Sequence, residues 1–174
     1  MASFLRALVV TTALVLALGT VATVALVAGE SPALASHYAL VHADFVSAAE
    51  RRALSRAGIL DTEVLLGWLT TPKKRAWVER ETGITLVRLE ALATQCDLLR
   101  VPGFGPTMVG PLQKSGIRDS EDLAYADPQD LLDRLRVATR GTAQANRLPD
   151  ISTVATWVAE ARRLRPMLVL DRLR

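Results

Sequence analysis

Two stretches of this chain, "LSRAGILDTEVLL" (residues 54–66) and "LQKSGIRDSEDLA" (residues 112–124), align without a gap. Leu54 and Leu112, Gly58 and Gly116, Ile59 and Ile117, Asp61 and Asp119, Glu63 and Glu121, and Leu65 and Leu123 coincide. Both read the same way physically. A helix closes on a glycine, the residue that accepts the left-handed conformation of a C-terminal cap. The isoleucine after it turns inward, and the aspartate caps the next short helix, placing an acidic group near that helix's positive end. A single unit of about 55–65 residues buries too little surface to be secure, whereas two can share a core.

Working outward from the repeat, apolar residues recur at spacings of three and four in "FVSAAERRALSRA" (45–57), "RLEALA" (88–93), "LLDRLRVA" (131–138) and "VATWVAEARRL" (154–164). That is the helical period, and no stretch alternates with the period of a strand. Gly83 ends "VERET" as Gly58 and Gly116 end their helices. Thr71-Pro72 and Asp127-Pro128 each set a capping side chain before a proline at the first helical position. These two pairs extend the repeat after a two-residue slip, and "ITLVRLEAL" (84–92) resembles "ISTVATWVA" (151–159). The expected fold is all-α. It divides into an N-terminal hydrophobic segment (1–35), a first helical unit (36–96), a second helical unit (97–165) and a C-terminal tail (166–174).

Between the two copies stands "VPGFGP" (101–106). Paired glycines let a backbone approach a phosphate, which turn N–H groups and a helix N-terminus would hold. Gly103, Phe104, Gly105 and Thr107 are therefore candidate contacts, with Lys114 on the following helix and Arg162, Arg163 and Arg165 in the basic C-terminal helix. Several features oppose the reading. Pro106 has no N–H, "TMVG" after it has no basic residue, and the first copy has "HADFVSAAE" (42–50) where the turn would fall. Residues 97–133 hold three basic side chains (Arg100, Lys114, Arg118) against seven acidic ones, a net of −4. Phosphate binding draws most of its strength from charge neutralisation, so nucleic acid is disfavoured there. The positive excess lies in residues 134–174, nine basic against three acidic for a net of +6, and in Lys73-Lys74-Arg75. Such clusters can face water, anionic lipid, an acidic protein or nucleic acid.

The segment "DLLRVPGFGPTMVGPLQKSGIRDSEDLA" (97–124) resembles the helix-hairpin-helix superfamily. It is most similar to an uncharacterised bacterial family with a duplicated hairpin unit, itself similar to the C-terminal domain of the RNA polymerase alpha subunit. Asp97-Leu98-Leu99-Arg100, Ser115-Gly116-Ile117 through Leu123, and Trp157 in the last helix carry the resemblance, which spans about residues 42–164. It implies a tandem helix-hairpin-helix fold and assigns no activity.

Residues 7–28, "ALVVTTALVLALGTVATVALVA", carry no charge. As a helix they would extend roughly 33 Å, enough to cross a bilayer core. Ala33-Leu34-Ala35 reads as a signal-peptide cleavage site, so a retained anchor and a removed signal both fit. Arg6 precedes the run and no Lys or Arg follows until Arg51, which places the N-terminus in the cytoplasm and the remainder outside.

A lone Cys96 excludes an internal disulfide and reads as a buried structural residue. His37 and His42 do not share a helix face, Trp68, Trp77 and Trp157 fall in apolar helical patterns, and the familiar catalytic motifs are missing. The sequence thus points to a non-catalytic, membrane-anchored adaptor that binds a protein and needs no cofactor or metal. Non-specific DNA binding through the hairpin and the basic helix is the alternative.

Overall fold

Side-chain caps punctuate the chain. Ser47 and Glu50 form a reciprocal box at the head of α1 (Ala48–Arg56). Asp61, Thr71 and Thr85 then accept backbone N–H groups at the heads of α2 (Thr62–Leu69), α3 (Pro72–Thr82) and α4 (Leu86–Leu98). After α5 (Pro106–Lys114), Asp119, Asp127 and Asp150 do the same for α6 (Ser120–Ala124), α7 (Pro128–Ala138) and α8 (Ile151–Arg163). The computed structural model describes residues 37–170, which belong to one compact unit and contain these eight α-helices, short 3-10 turns and no strand. The apolar run of residues 7–28 lies outside the described residues. Among those described, no helix is long and apolar enough to cross a membrane.

The helices form two sets of four, α1–α4 and α5–α8, with matching local geometry. The Ile59 N–H donates to Leu54 O and the Ile117 N–H to Leu112 O, both at 3.0 Å. Gly58 and Gly116, with φ of +77° and +90°, make those closures possible. Leu54, Ile59 and Leu65 are buried in one apolar cluster, and Leu112, Ile117 and Leu123 in another. Full burial of each such side chain contributes about 1.5–3 kcal/mol.

Two sequence readings are corrected. The pairing of "ITLVRLEAL" with "ISTVATWVA" is out of register by two residues. Ile84 precedes the cap of α4, whereas Ile151 is the first residue of α8. With the caps Thr85 and Asp150 superposed, the buried stripes match: Leu89 with Val154, Leu92 with Trp157, Ala93 with Val158, and Cys96 with Ala161. The first copy has also kept the backbone turn that its sequence hides. His42 and Ala43 donate to the Ala39 and Leu40 carbonyls, as Arg100 and Val101 donate to those of Asp97 and Leu98. Leu40, Ala43 and Val46 are buried in the places of Leu98, Val101 and Phe104.

Beyond α8 the chain does not trail away. Residues 165–170 run back to the first set of helices, where the Val169 N–H donates to Thr70 O at 2.9 Å and Leu168 packs on the first cluster. Arg75 is the clamp. Only 1% exposed, it donates to Leu69 O (2.8 Å), to Val169 O (2.9 Å) and to Glu90 Oε1 (3.3 Å). The basic triplet of residues 73–75 is therefore a surface pair, Lys73 and Lys74, rather than a surface cluster of three. Its third member is internal, and Lys74 Nζ donates to Gly67 O at 2.7 Å.

Candidate functional site

The turn at residues 101–106 is assembled from three directions. Val101 and Phe104 are buried in the second cluster, and Phe104 meets Trp157 of α8 edge-on, with ring centroids 5.0 Å apart. Gly103 has φ +102°, and a Cβ there would stand 2.9 Å from Trp157 Nε1. Glycine is required at this position on both counts, backbone and space. The Trp157 Nε1–H is buried with no partner among the described residues. On the other side, a Cβ at Gly105 would reach the Tyr38 hydroxyl at 3.5 Å. Gly105 heads α5 without a side-chain cap.

Below the turn, Asp97 is buried and fully engaged. The Ser120 N–H and Oγ–H donate to its Oδ2 at 3.0 and 2.5 Å, and Arg100 donates to its Oδ1 at 2.7 Å. In the first copy the matching Thr62 is held by main chain instead, exchanging bonds with Tyr38 N and O. Much of the acidity around the turn is locally neutralised, by Arg118 on Asp122, Arg134 on Asp130 and Arg136 on Asp133. Donation to the Asp122 carboxylate pushes the Arg118 guanidinium pKa up.

The candidate phosphate contacts separate into three places. Gly103, Phe104, Gly105 and Thr107 lie together at the turn. Lys114 sits in the last turn of α5, roughly 10 Å along the axis from Thr107. Arg162 and Arg163 end α8, where Arg162 donates to Ala124 O at 2.8 Å and Arg163 to Glu160 at 2.6 Å. The Arg165 carbonyl accepts from Arg100 at 2.9 Å.

The surface around Arg162 has more of the character of a binding site. A groove of about 420 Å³ between α6 and α8 is lined by Ser120, Ala124, Tyr125, Ala161, Arg162 and Leu164, among others. The Tyr125 side chain is 83% exposed at its edge. The equivalent groove between α2 and α4, lined by Thr62, Leu66, Gly67, Cys96 and Leu99, has His37 and the tail residue Met167 along its wall. Burial pushes the Cys96 thiol pKa up. No group of three His, Cys, Asp or Glu side chains among the described residues is disposed to hold a metal.

A family model described as Domain of unknown function (DUF4332) matches residues 45–164. The chain belongs to this family. No curated protein and no solved structure matches it. The DUF4332 region takes in all eight helices, the hairpin turn and Arg75. It stops before the tail that Arg75 clamps, and it excludes Tyr38. Both contacts were invisible to sequence reading, because neither side chain sits in a motif and the partners lie far away along the chain. The one available signal for the tail was its apolar "PMLVL" (166–170).

Proposed function

We propose that this chain is a non-catalytic, membrane-anchored adaptor whose domain, of tandem helix-hairpin-helix type, binds another protein. The observation that carries the reading is the open α6–α8 groove with Tyr125 projecting at its edge and Arg162 beside it. Tyrosine and arginine are the side chains that most often anchor protein interfaces. The apolar floor of Ala124, Ala161 and Leu164 suits the apolar stripe of a partner helix or an extended segment. The charge-free run of residues 7–28 supports retention at the membrane, with the domain on the extracytoplasmic side.

Site-specific photocrosslinking in cells tests this. A photoreactive residue at position 125 is expected to give an adduct of defined mass that Arg162→Glu abolishes. The same probe at Val87, exposed on α4, is expected to give none. Identical adducts from both positions, or none from either, would sink the proposal.

The second reading, non-specific DNA binding, is favoured by the uncapped start of α5 and by exposed Lys114. Its weakness is dispersion. Lys114 stands roughly 10 Å along α5 from Thr107, and Arg162 and Arg163 already donate to Ala124 O and Glu160, whereas such binding draws its strength from cations turned to phosphate.

A further inference from the structure

A further groove opens between α1 and residues 39–41, beside Leu60. About 680 Å³ in volume, it is lined by Leu40, Val41, Arg51, Arg52, Arg56 and Leu60 among others, with no acidic residue in the lining. Arg52 and Arg56 are exposed one helical turn apart, and Arg51 donates to Val46 O at 2.6 Å. Val41 and Leu60 are 66% and 61% exposed beside them. The second copy shows how unusual this is. Leu99, which takes the place of Val41 there, is 1% exposed. The first copy thus leaves open an apolar position that the second copy covers.

We infer that this face docks on the headgroups of an anionic phospholipid surface, with the arginines on the phosphates and Val41 and Leu60 in the interfacial layer. Two observations select lipid. The face combines two exposed aliphatic side chains with a purely basic rim, the composition that suits an anionic interface. Only eight residues, 29–36, separate the apolar run from His37, a span of at most roughly 30 Å when extended. This second point rests on the anchor reading above.

The test uses the full-length chain carrying Leu60→Cys labelled with the environment-sensitive dye NBD. The buried native Cys96 stays unlabelled. The chain is combined with vesicles of phosphatidylcholine alone or with 30% phosphatidylglycerol, a fraction set for the experiment at roughly the anionic content that gives such surfaces their potential. Retention after an alkaline wash reads the apolar run, and NBD emission reads the face. The expected result is a blue shift with anionic vesicles only, released in about 1 M salt, where screening shortens to about 3 Å. Arg52→Gln with Arg56→Gln should reduce docking about 30-fold, fivefold per arginine from roughly 1 kcal/mol each. A retained chain with unshifted NBD keeps the anchor and overturns the docking face. A shift without retention keeps the face and overturns the anchor. Equal shifts on neutral and anionic vesicles, a shift indifferent to the arginine changes, or one produced equally by duplex DNA would each overturn the inference.

Discussion

Residues 39–46 and 97–104 share two turn hydrogen bonds and differ in their side chains and in the glycine of positive φ at 103. In the second copy Gly103 lies against Trp157. In the first, the matching positions hold Phe45 and Leu92, and Phe45 packs against the cluster that contains Leu92. The close approach of a glycine to an indole is thus confined to the second copy, and in the first a half-buried phenylalanine stands at the glycine's place. The glycine that looks like a phosphate cradle is therefore needed first by an indole. A residue type shared with nucleic-acid hairpins is weak evidence of their function when a packing partner already accounts for it.

The comparison of the two copies can be broken at its cores. Leu54→Ala and Leu112→Ala, at equivalent buried positions, should each cost about 3 kcal/mol in urea unfolding. A loss under about 1 kcal/mol in either would mean that its copy is not packed as described. Gly103→Ala comes next, at about 2–3 kcal/mol, from positive φ together with the displaced indole. Gly58→Ala, with open space around its Cβ, should cost only about 1 kcal/mol. In a Trp157→Leu background the Gly103→Ala cost should shrink toward that smaller value, and an unchanged cost would dissociate glycine from indole.

Asp97→Asn sharpens a second contrast. The carboxylate holds Ser120 and Arg100 in the second copy, where main chain holds Thr62 in the first. Its loss should cost about 2 kcal/mol, against about 1 kcal/mol for Thr62→Val, by thermal unfolding.

A further effect depends on pH. The guanidinium of Arg88, hydrogen-bonded to Glu50, holds that carboxyl pKa down to about 2. An unfolded glutamate titrates near about 4.3. The folded form thus binds its proton less readily, so the pair stabilises the fold above about pH 4.3 and loses that contribution as pH falls toward 2. After screening this amounts to about 1–2 kcal/mol, and Glu50→Gln should flatten that part of the melting-temperature profile.

Helix ends were legible in the sequence because their causes are local. Thr71-Pro72, Asp127-Pro128 and the glycines at 58, 83 and 116 each act within a few residues, and the structure uses every one as a cap or closure. The register of α8 against α4 was misread because two similar isoleucines lie on opposite sides of their caps. Arg75 was misread for another reason. Its burial depends on Val169, 94 residues away, and nothing near "KKR" announces that partner. At the candidate site, the turn and Trp157 were both visible as residues, but only their contact reveals that one is shaped for the other.

The most direct test of the central claim, that "VPGFGP" is a packing turn within a protein-binding domain, is fluorescence anisotropy of residues 36–174 with short duplex and single-stranded DNA across a salt series. The packing account predicts no saturable binding that depends on Gly103 or Gly105, even at low salt. Micromolar binding that falls steeply with salt and disappears on substituting those glycines, in a variant still folded, would contradict it.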